Sequence, residues 1–325
     1  MLFAAALIVA ALGVLLVGLV IAARWAEARD VRRLIAADSF ASVGAARIRY
    51  RLLHRADAPA VVLLSGMSSS LEEWAAVQDA VHEFATVLTY DRGGAGFSTG
   101  SRAHSAPEQA QELADLLRAL GLRGPIVLVG YSVSASVARL FVEANRSVVS
   151  GLVLLDPYLP ELEDRMVGRH GPFRMYGRHL IEELVLTMFG LRRFTAVVPR
   201  EVPSDDRAAV AAKAAAATQR FAHWHAIVTE VRAMPGSSDR VKAAGGLTDI
   251  PVVIVTGVKP SSQESTAVVQ QVYRDFVAQS RDGRIVTFTA KTHNDGLDVD
   301  ASGGATVDAI RSLFGPTPTP PSPAR

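Results

Sequence analysis

The sequence predicts an α/β fold, a mostly parallel sheet with helices on both faces, on three observations. Short apolar runs at 60–65, 126–129, 152–155 and 252–255 lack polar alternation, as strands buried on both faces do. Segments of helical periodicity separate those runs. Apolar residues make up 49% of the 325, enough to bury one large core.

The first element stands outside that fold. Residues 1–23 carry no charged side chain and consist almost wholly of Ala, Leu, Val, Ile and Gly. As a helix they span roughly 34 Å, which matches a bilayer core. A cleavable signal peptide would have a basic start and a shorter apolar stretch, although Ala26-Glu27-Ala28 has the small-x-small form of a cleavage site. A retained transmembrane anchor is the expectation. In the juxtamembrane segment 24–40, Trp25 suits an interface, and Arg24, Arg29, Arg32 and Arg33 place the following domain in the cytoplasm by the positive-inside rule.

From there the chain alternates. Residues 46–53 read as a strand by their period of two, and the apolar run 60–65 as a buried one. A helix over 71–84, a strand over 86–90 and a helix over 106–120 follow. A strand over 126–129, a helix over 133–144 and a strand over 152–155 complete a first core part, 41–158. Almost a hundred residues then precede the strand at 252–255. They show helical periodicity, at 180–189 and in the alanine-rich stretch after Pro203-Ser204-Asp205, and an insertion of that size is not a structureless loop. Residues 159–247 are read as a helical cap over the carboxyl edge of the sheet, where it could shape a pocket. The second core part, 248–314, adds a helix over 267–280, a strand over 284–289 and a helix over 306–314. Residues 315–325 hold five prolines and read as a disordered tail.

A net charge of +2, with no long basic run interleaved with aromatics, gives no reason to expect nucleic acid as a partner. The absence of cysteine excludes thiolate catalysis, disulfides and thiolate-bound metal. His223 and His225 are two apart on a predicted helix and face different ways, which argues against a shared metal. No cofactor is expected.

The run Ile126-Val127-Leu128-Val129-Gly130-Tyr131-Ser132-Val133-Ser134-Ala135 carries the chemistry. A buried strand ends in glycine and serine, and a helical pattern begins at once. On such a strand-to-helix turn a serine hydroxyl projects from the carboxyl end of the sheet, and the helix aims its amino end at developing negative charge. Ser132 is the candidate nucleophile. Gly130 meets the need for a small neighbour, whereas Ser134 stands where G-x-S-x-G has its last glycine. A structural helix with a capping serine is the competing reading.

Further segments fall into register with this one. Leu63-Leu64-Ser65-Gly66-Met67-Ser68-Ser69-Ser70 with Trp74 looks like a loop after a third strand, and Tyr90-Asp91-Arg92-Gly93-Gly94-Ala95-Gly96-Phe97-Ser98 matches D-R-x-G-x-G-x-S. Together they resemble the α/β-hydrolase superfamily over residues 41–314, in the branch with a small residue and glycine in place of His-Gly. The resemblance implies the α/β-hydrolase fold and an oxyanion hole formed by the backbone N–H groups of Met67 and Val133. It also implies the chain order nucleophile, acid, histidine. His293, just after the last predicted strand, is where the family carries its base. His54, His82, His104, His170 and His179 are worse placed. For the acid, the strand near 252–258 reaches no carboxylate until Glu264, whereas the strand before the cap ends in Asp156, a site some relatives use. Asp156 is therefore the expected acid, with Glu264 the alternative and Asp295, Asp298 or no acid at all behind it. Asp91 and Arg92 are read as structural, tying their loop.

The resulting expectation is a membrane-anchored serine esterase with a Ser-His-Asp catalytic triad, acting on a small-molecule ester or acyl substrate of lipophilic character. An epoxide hydrolase or dehalogenase of this fold would need aspartate at position 132. A carbon–carbon bond hydrolase could use the same triad, and a non-catalytic binding protein on this fold is the alternative of a different class.

Overall fold

The computed structural model describes residues 2–100, 104–165, 172–194, 206–245, 247, 249–258 and 263–314. In chain order it begins with α1 (Leu2–Leu34), β1 (Ser39–Val43), β2 (Ala46–Leu53), β3 (Ala60–Leu64), α2 (Ala75–His82), β4 (Thr86–Tyr90) and α3 (Ala106–Ala119). Next come β5 (Ile126–Tyr131), α4 (Ser134–Ala144), β6 (Val149–Leu155), α5 (Glu161–Arg165), α6 (Pro172–Met188), α7 (Asp206–Thr218) and α8 (Phe221–Lys242). The chain closes with β7 (Pro251–Val258), α9 (Gln263–Val277), β8 (Asp282–Thr289) and α10 (Ala305–Arg311). The tail, 315–325, lies outside the described residues.

The eight strands form one sheet in the order β1-β2-β4-β3-β5-β6-β7-β8. β2 runs antiparallel to β1 and to β4, and every other neighbour is parallel. The apolar strands bury both faces, and their period of two sorts the side chains. Val62, Leu64, Leu128, Leu152, Leu154 and Ile254 pack with Leu113, Leu116, Phe141 and Phe276 of α3, α4 and α9. Val61, Leu63, Val127, Val129, Val153 and Val255 meet Val77 and Val81 of α2 and Val307 and Ile310 of α10. Parallel strands require crossovers, so the carboxyl ends of β3 to β8 share one edge and their following loops converge there.

Several boundaries differ from the sequence reading for identifiable reasons. The expected helix over 71–84 is a 3₁₀ turn, Leu71–Trp74, followed by α2. β1 has only five residues, two of them Ser, and leaves no periodic signal. α1 continues past residue 23 to Leu34, because 24–34 is rich in helix formers and includes the Arg24–Glu27 pair at i,i+3. Phe3–Leu34 is long and apolar enough to cross a membrane, a property a span shares with a signal sequence. α5 to α8 all lie between β6 and β7.

A buried charge cluster fixes the loop after β4. Arg49 of β2 contacts Glu72 Oε1 at 2.5 Å, Asp91 Oδ2 at 3.2 Å and Asp38 Oδ2 at 2.6 Å, with its side chain almost fully buried. Asp91 Oδ1 accepts from Leu71 N–H and Oδ2 from Phe97 N–H, both at 2.8 Å. Asp91 therefore ties its loop, as expected, but through Arg49. Its sequence neighbour Arg92 pairs with Glu230 on α8 at 3.2 Å.

Replacing Arg49 with Met would leave Glu72 and Asp91 buried without their cation, while Asp38 keeps Lys213. Urea unfolding of Arg49→Met is expected to show a loss of about 3–5 kcal/mol at unchanged slope. Arg165→Ala, which removes the exposed pair with Asp275, is expected to cost less than about 1 kcal/mol.

Candidate active site

β5 ends at Tyr131 and α4 begins at Ser134, so the chain must reverse within two residues. It does so through Ser132, whose φ is +54°. That left-handed conformation is strained for a residue with a side chain, and neighbours hold it. Ser132 N–H donates to Leu155 C=O of β6 at 3.0 Å, and Ser132 C=O accepts from Tyr158 N–H at 3.0 Å. Gly130 is required by close approach, because a Cβ there would lie 3.1 Å from Ser134 O and 3.2 Å from Ala138 Cβ. Ser134, the departure from the glycine pattern, has a role of its own: its hydroxyl donates to Ser65 C=O in the loop after β3.

Three sequence-predicted residues meet at the carboxyl edge. His293 Nε2 lies 3.1 Å from Ser132 Oγ, and His293 Nδ1 lies 3.4 Å from Asp156 Oδ2. A proton on Nδ1, facing the carboxylate, leaves Nε2 free to accept from the hydroxyl. Asp156 directly follows β6, again with a left-handed φ, +40°. Its Oδ1 accepts from Thr256 Oγ1 at 2.7 Å and Gly257 N–H at 3.0 Å, so Oδ2 is left for the imidazole. Asp156 is nearly buried, with 12% of its side chain exposed, whereas His293 is half exposed and open to a ligand.

The other acids do not join this group. Asp295 accepts from Lys291 N–H at 2.7 Å and Thr292 N–H at 3.2 Å, shaping the turn before His293; the Thr292 hydroxyl, followed by these amides, holds its carboxyl below the usual range. Asp298 accepts from Asp300 and Ala301 N–H groups. Glu264 lies in the first turn of α9, and its side chain is outside the described residues.

The facing loop carries Gly66, Met67 and Ser68. Gly66 packs on the Tyr131 ring so closely that a Cβ would lie 2.7 Å from it. The same ring lies 5.0 Å from the His293 imidazole, centroid to centroid, tilted by 30°, and Tyr131 OH donates to Asn294 Oδ1 at 2.7 Å. Arg92 donates to Ser65 C=O at 2.6 Å and Gly66 C=O at 3.0 Å, and Gly66 N–H donates to Glu73 at 2.8 Å. With these groups occupied, the loop's next amide belongs to Met67. Among the described residues neither Met67 N–H nor Val133 N–H has an acceptor.

Sequence reading assigned His223 only to the cap, but it braces this site. Fully buried on α8, it accepts at Nδ1 from Gly96 N–H at 3.0 Å, which leaves its Nε2–H facing Ser68 C=O at 3.2 Å. Burial pushes its pKa down to about 3, so the ring is neutral at physiological pH. Tyr131, Glu73 and Asn294 were also missed. The Tyr131–Asn294 contact joins residues 163 apart, and Glu73, only seven residues from Gly66, carries no signal beyond its nearness to the loop.

Comparison with known proteins places this geometry in context. The model of the Alpha/beta hydrolase family matches residues 61–309. An uncharacterized Bacillus subtilis (strain 168) protein, YqjL, is 35% identical over 100 residues, 30% of this chain and 40% of the relative, so the match spans well under half of that relative. Among solved structures, the Cif epoxide hydrolase from Acinetobacter nosocomialis superposes with a TM-score of 0.66 at 14% identity, covering 89% of this chain and 96% of that one. A bacterial membrane phospholipase A gives 0.60 at 17% identity over 97% and 98%. A Salmonella enterica acyltransferase, assigned as such provisionally, gives 0.62 at 16% over 85% and 95%. At these identities the likeness is one of fold.

Glu73 supplies a pH test of the loop. Burial pushes its carboxyl up to about 7, against hydrogen bonds from Ser69, Gly66 and Ser65 and the charge of Arg92. Between its ordinary 4.5 and 7 the folded chain holds the proton that the unfolded chain releases, so this group's stabilisation is full below pH 4.5 and is lost as pH rises through 7. Urea unfolding at pH 5 and pH 8 is expected to show Glu73→Gln gaining about 1–3 kcal/mol on wild type across that interval. Parallel pH dependence in the two proteins would contradict it.

Proposed function

This chain belongs to the alpha/beta hydrolase family, and from that premise we propose that it is a membrane-anchored serine hydrolase that cleaves an ester through an acyl-enzyme on Ser132. The observation that carries this reading is the 3.1 Å approach of Ser132 Oγ to His293 Nε2, with Asp156 behind Nδ1.

As Oγ attacks the ester carbonyl, its proton passes to Nε2, and the tetrahedral oxyanion lies against the N–H groups of Met67 and Val133. Each such preorganised donor is worth about 3–4 kcal/mol in the transition state. Collapse breaks the carbon–oxygen bond to the alcohol, which leaves with the proton from Nε2. Water then attacks the acyl-enzyme, gives its proton to Nε2 and restores the Ser132 hydroxyl as the acid departs. Asp156 orients the imidazole and balances its charge.

Some relatives by fold are named as epoxide hydrolases. A carboxylate that opens an epoxide forms an ester, which water can cleave; a serine would form an ether, which it cannot. Ser132 therefore favours acyl chemistry. α5 to α8 act as the cap over the carboxyl edge, and α8 closes a cleft with the elbow, lined by Val133, Ser136, Tyr158, Glu230 and Met234. α1 anchors the enzyme, and the arginines after its apolar stretch hold the catalytic domain on the cytoplasmic face. An apolar cap beside such an anchor suits a lipophilic acyl group.

Turnover of chromogenic esters by the full chain in detergent is expected to show an acyl-enzyme burst. Ser132→Ala should reduce it to background, Asp156→Ala should lower kcat by about 10³–10⁴-fold, and Glu264→Ala should leave kcat unchanged. Full activity in folded Ser132→Ala would overturn the assignment.

A further inference from the structure

Apart from α1 itself, the exposed large apolar side chains among the described residues gather in one place. Ile181, Val185 and Met188 on α6 are 57%, 41% and 39% exposed, and Leu191 in the following turn is 45% exposed. Spacings of four, three and three set them along one face. The opposite face is committed: Leu180 packs with Trp224, Ile227 and Val228 of α8, and Glu183 and Thr187 are buried.

This stripe adjoins the point where α1 meets the domain. Arg24 donates to Met188 C=O at 3.0 Å, Gly190 passes directly against Ala23, and Arg193 pairs with Asp30. Further along, Leu34 packs with Phe97 and with Ala212, Ala216 and Ala217 of α7. The base of α1 is thus fastened to the domain, and its apolar length from Phe3 to Ile21 leaves beside α6. At that level Trp25 is exposed, with Arg29 over its ring, and Arg178 stands exposed one turn before Ile181.

We propose that α6 lies in the headgroup–acyl boundary of the bilayer that α1 crosses, seating the cap on the membrane so that the substrate is a lipid ester drawn from that bilayer. The inference rests on the reading of α1 as a membrane span and, for the substrate, on the serine hydrolase reading. A bilayer surface fits the stripe because a bilayer already surrounds the adjoining apolar helix, and the flanking tryptophan and arginines are the residue types that settle at such a boundary.

Because the chain has no cysteine, single-cysteine variants of the full protein can carry an environment-sensitive fluorophore without background. Ile181→Cys and Val185→Cys, with Leu12→Cys on α1 and, at an exposed position of α3, Gln111→Cys as references, are placed in phosphatidylcholine–phosphatidylglycerol vesicles containing lipids brominated at shallow or deep acyl positions. The expected result is blue-shifted emission at 181 and 185 quenched by shallow bromines, quenching at 12 by deep ones and none at 111. Quenching at 12 with 181 and 185 behaving like 111 would overturn the proposal and leave the anchor standing. No quenching at 12 would remove the span and the proposal with it. Blue shift at 181 and 185 that depends on protein density and ignores bromine would make the stripe a dimer face, also against the proposal. In a second arm, Ile181→Asp/Val185→Asp should lower turnover of a vesicle-embedded ester several-fold and spare a soluble short-chain ester. Equal loss on both would contradict it, and wild type inactive on both would remove the hydrolase reading while the fluorescence still locates α6.

Discussion

Left-handed backbone at the ends of two adjacent parallel strands is the constraint on which the rest of this structure depends. β5 and β6 run side by side, and each is followed at once by a residue with a side chain and a positive φ, Ser132 at +54° and Asp156 at +40°. A third such residue, Ser68 at +64°, lies in the loop after β3. Conformations of this kind cost of order 1–3 kcal/mol each and persist only where surroundings impose them. Here the sheet imposes them: Ser132 N–H is bound by Leu155 of β6, and Asp156 N–H by Val255 of β7. Each strand end is thus pinned by the next strand, and side chains that would otherwise alternate across the sheet point together over its edge.

The loops that complete the site are cross-braced by charge and hydrogen bonding more than by apolar packing. Ser134 reaches Ser65, Arg92 holds the carbonyls of Ser65 and Gly66, and Glu73 holds the amide of Gly66. One of these braces extends to α8, through Glu230 on Arg92, and His223 of α8 adds another between Ser68 and Gly96. A shift of α8 would therefore disturb the very loop that presents Met67. Buried polar networks of this kind are fully effective only when every member is satisfied.

Most of the sheet was legible in the sequence because buried parallel strands are continuous apolar runs. β2 and β4 start and end where the pattern places them; β5 and β6 prove longer by their glycine-containing or polar ends, which periodicity discounts. Within the candidate site, Ser132 stood out by its place after a buried strand, and His293 and Asp156 by the family resemblance applied to the ends of theirs. The supporting residues were not. Nothing local to His223 says that it spans two loops over a hundred residues away, and nothing near Arg49 says that it gathers Asp38, Glu72 and Asp91. Ser134 read as a defect in a motif because its partner, Ser65, is visible only in three dimensions.

Activation of the Ser132 hydroxyl by His293 is the step on which the proposed chemistry turns. Its most direct test is the mass of the full chain after exposure to a fluorophosphonate, with the modified peptide sequenced. The account predicts a single adduct on Ser132 in wild type, absent in Ser132→Ala and slowed steeply in His293→Ala. Folded wild type that remains unmodified, or an adduct on another residue, would contradict it.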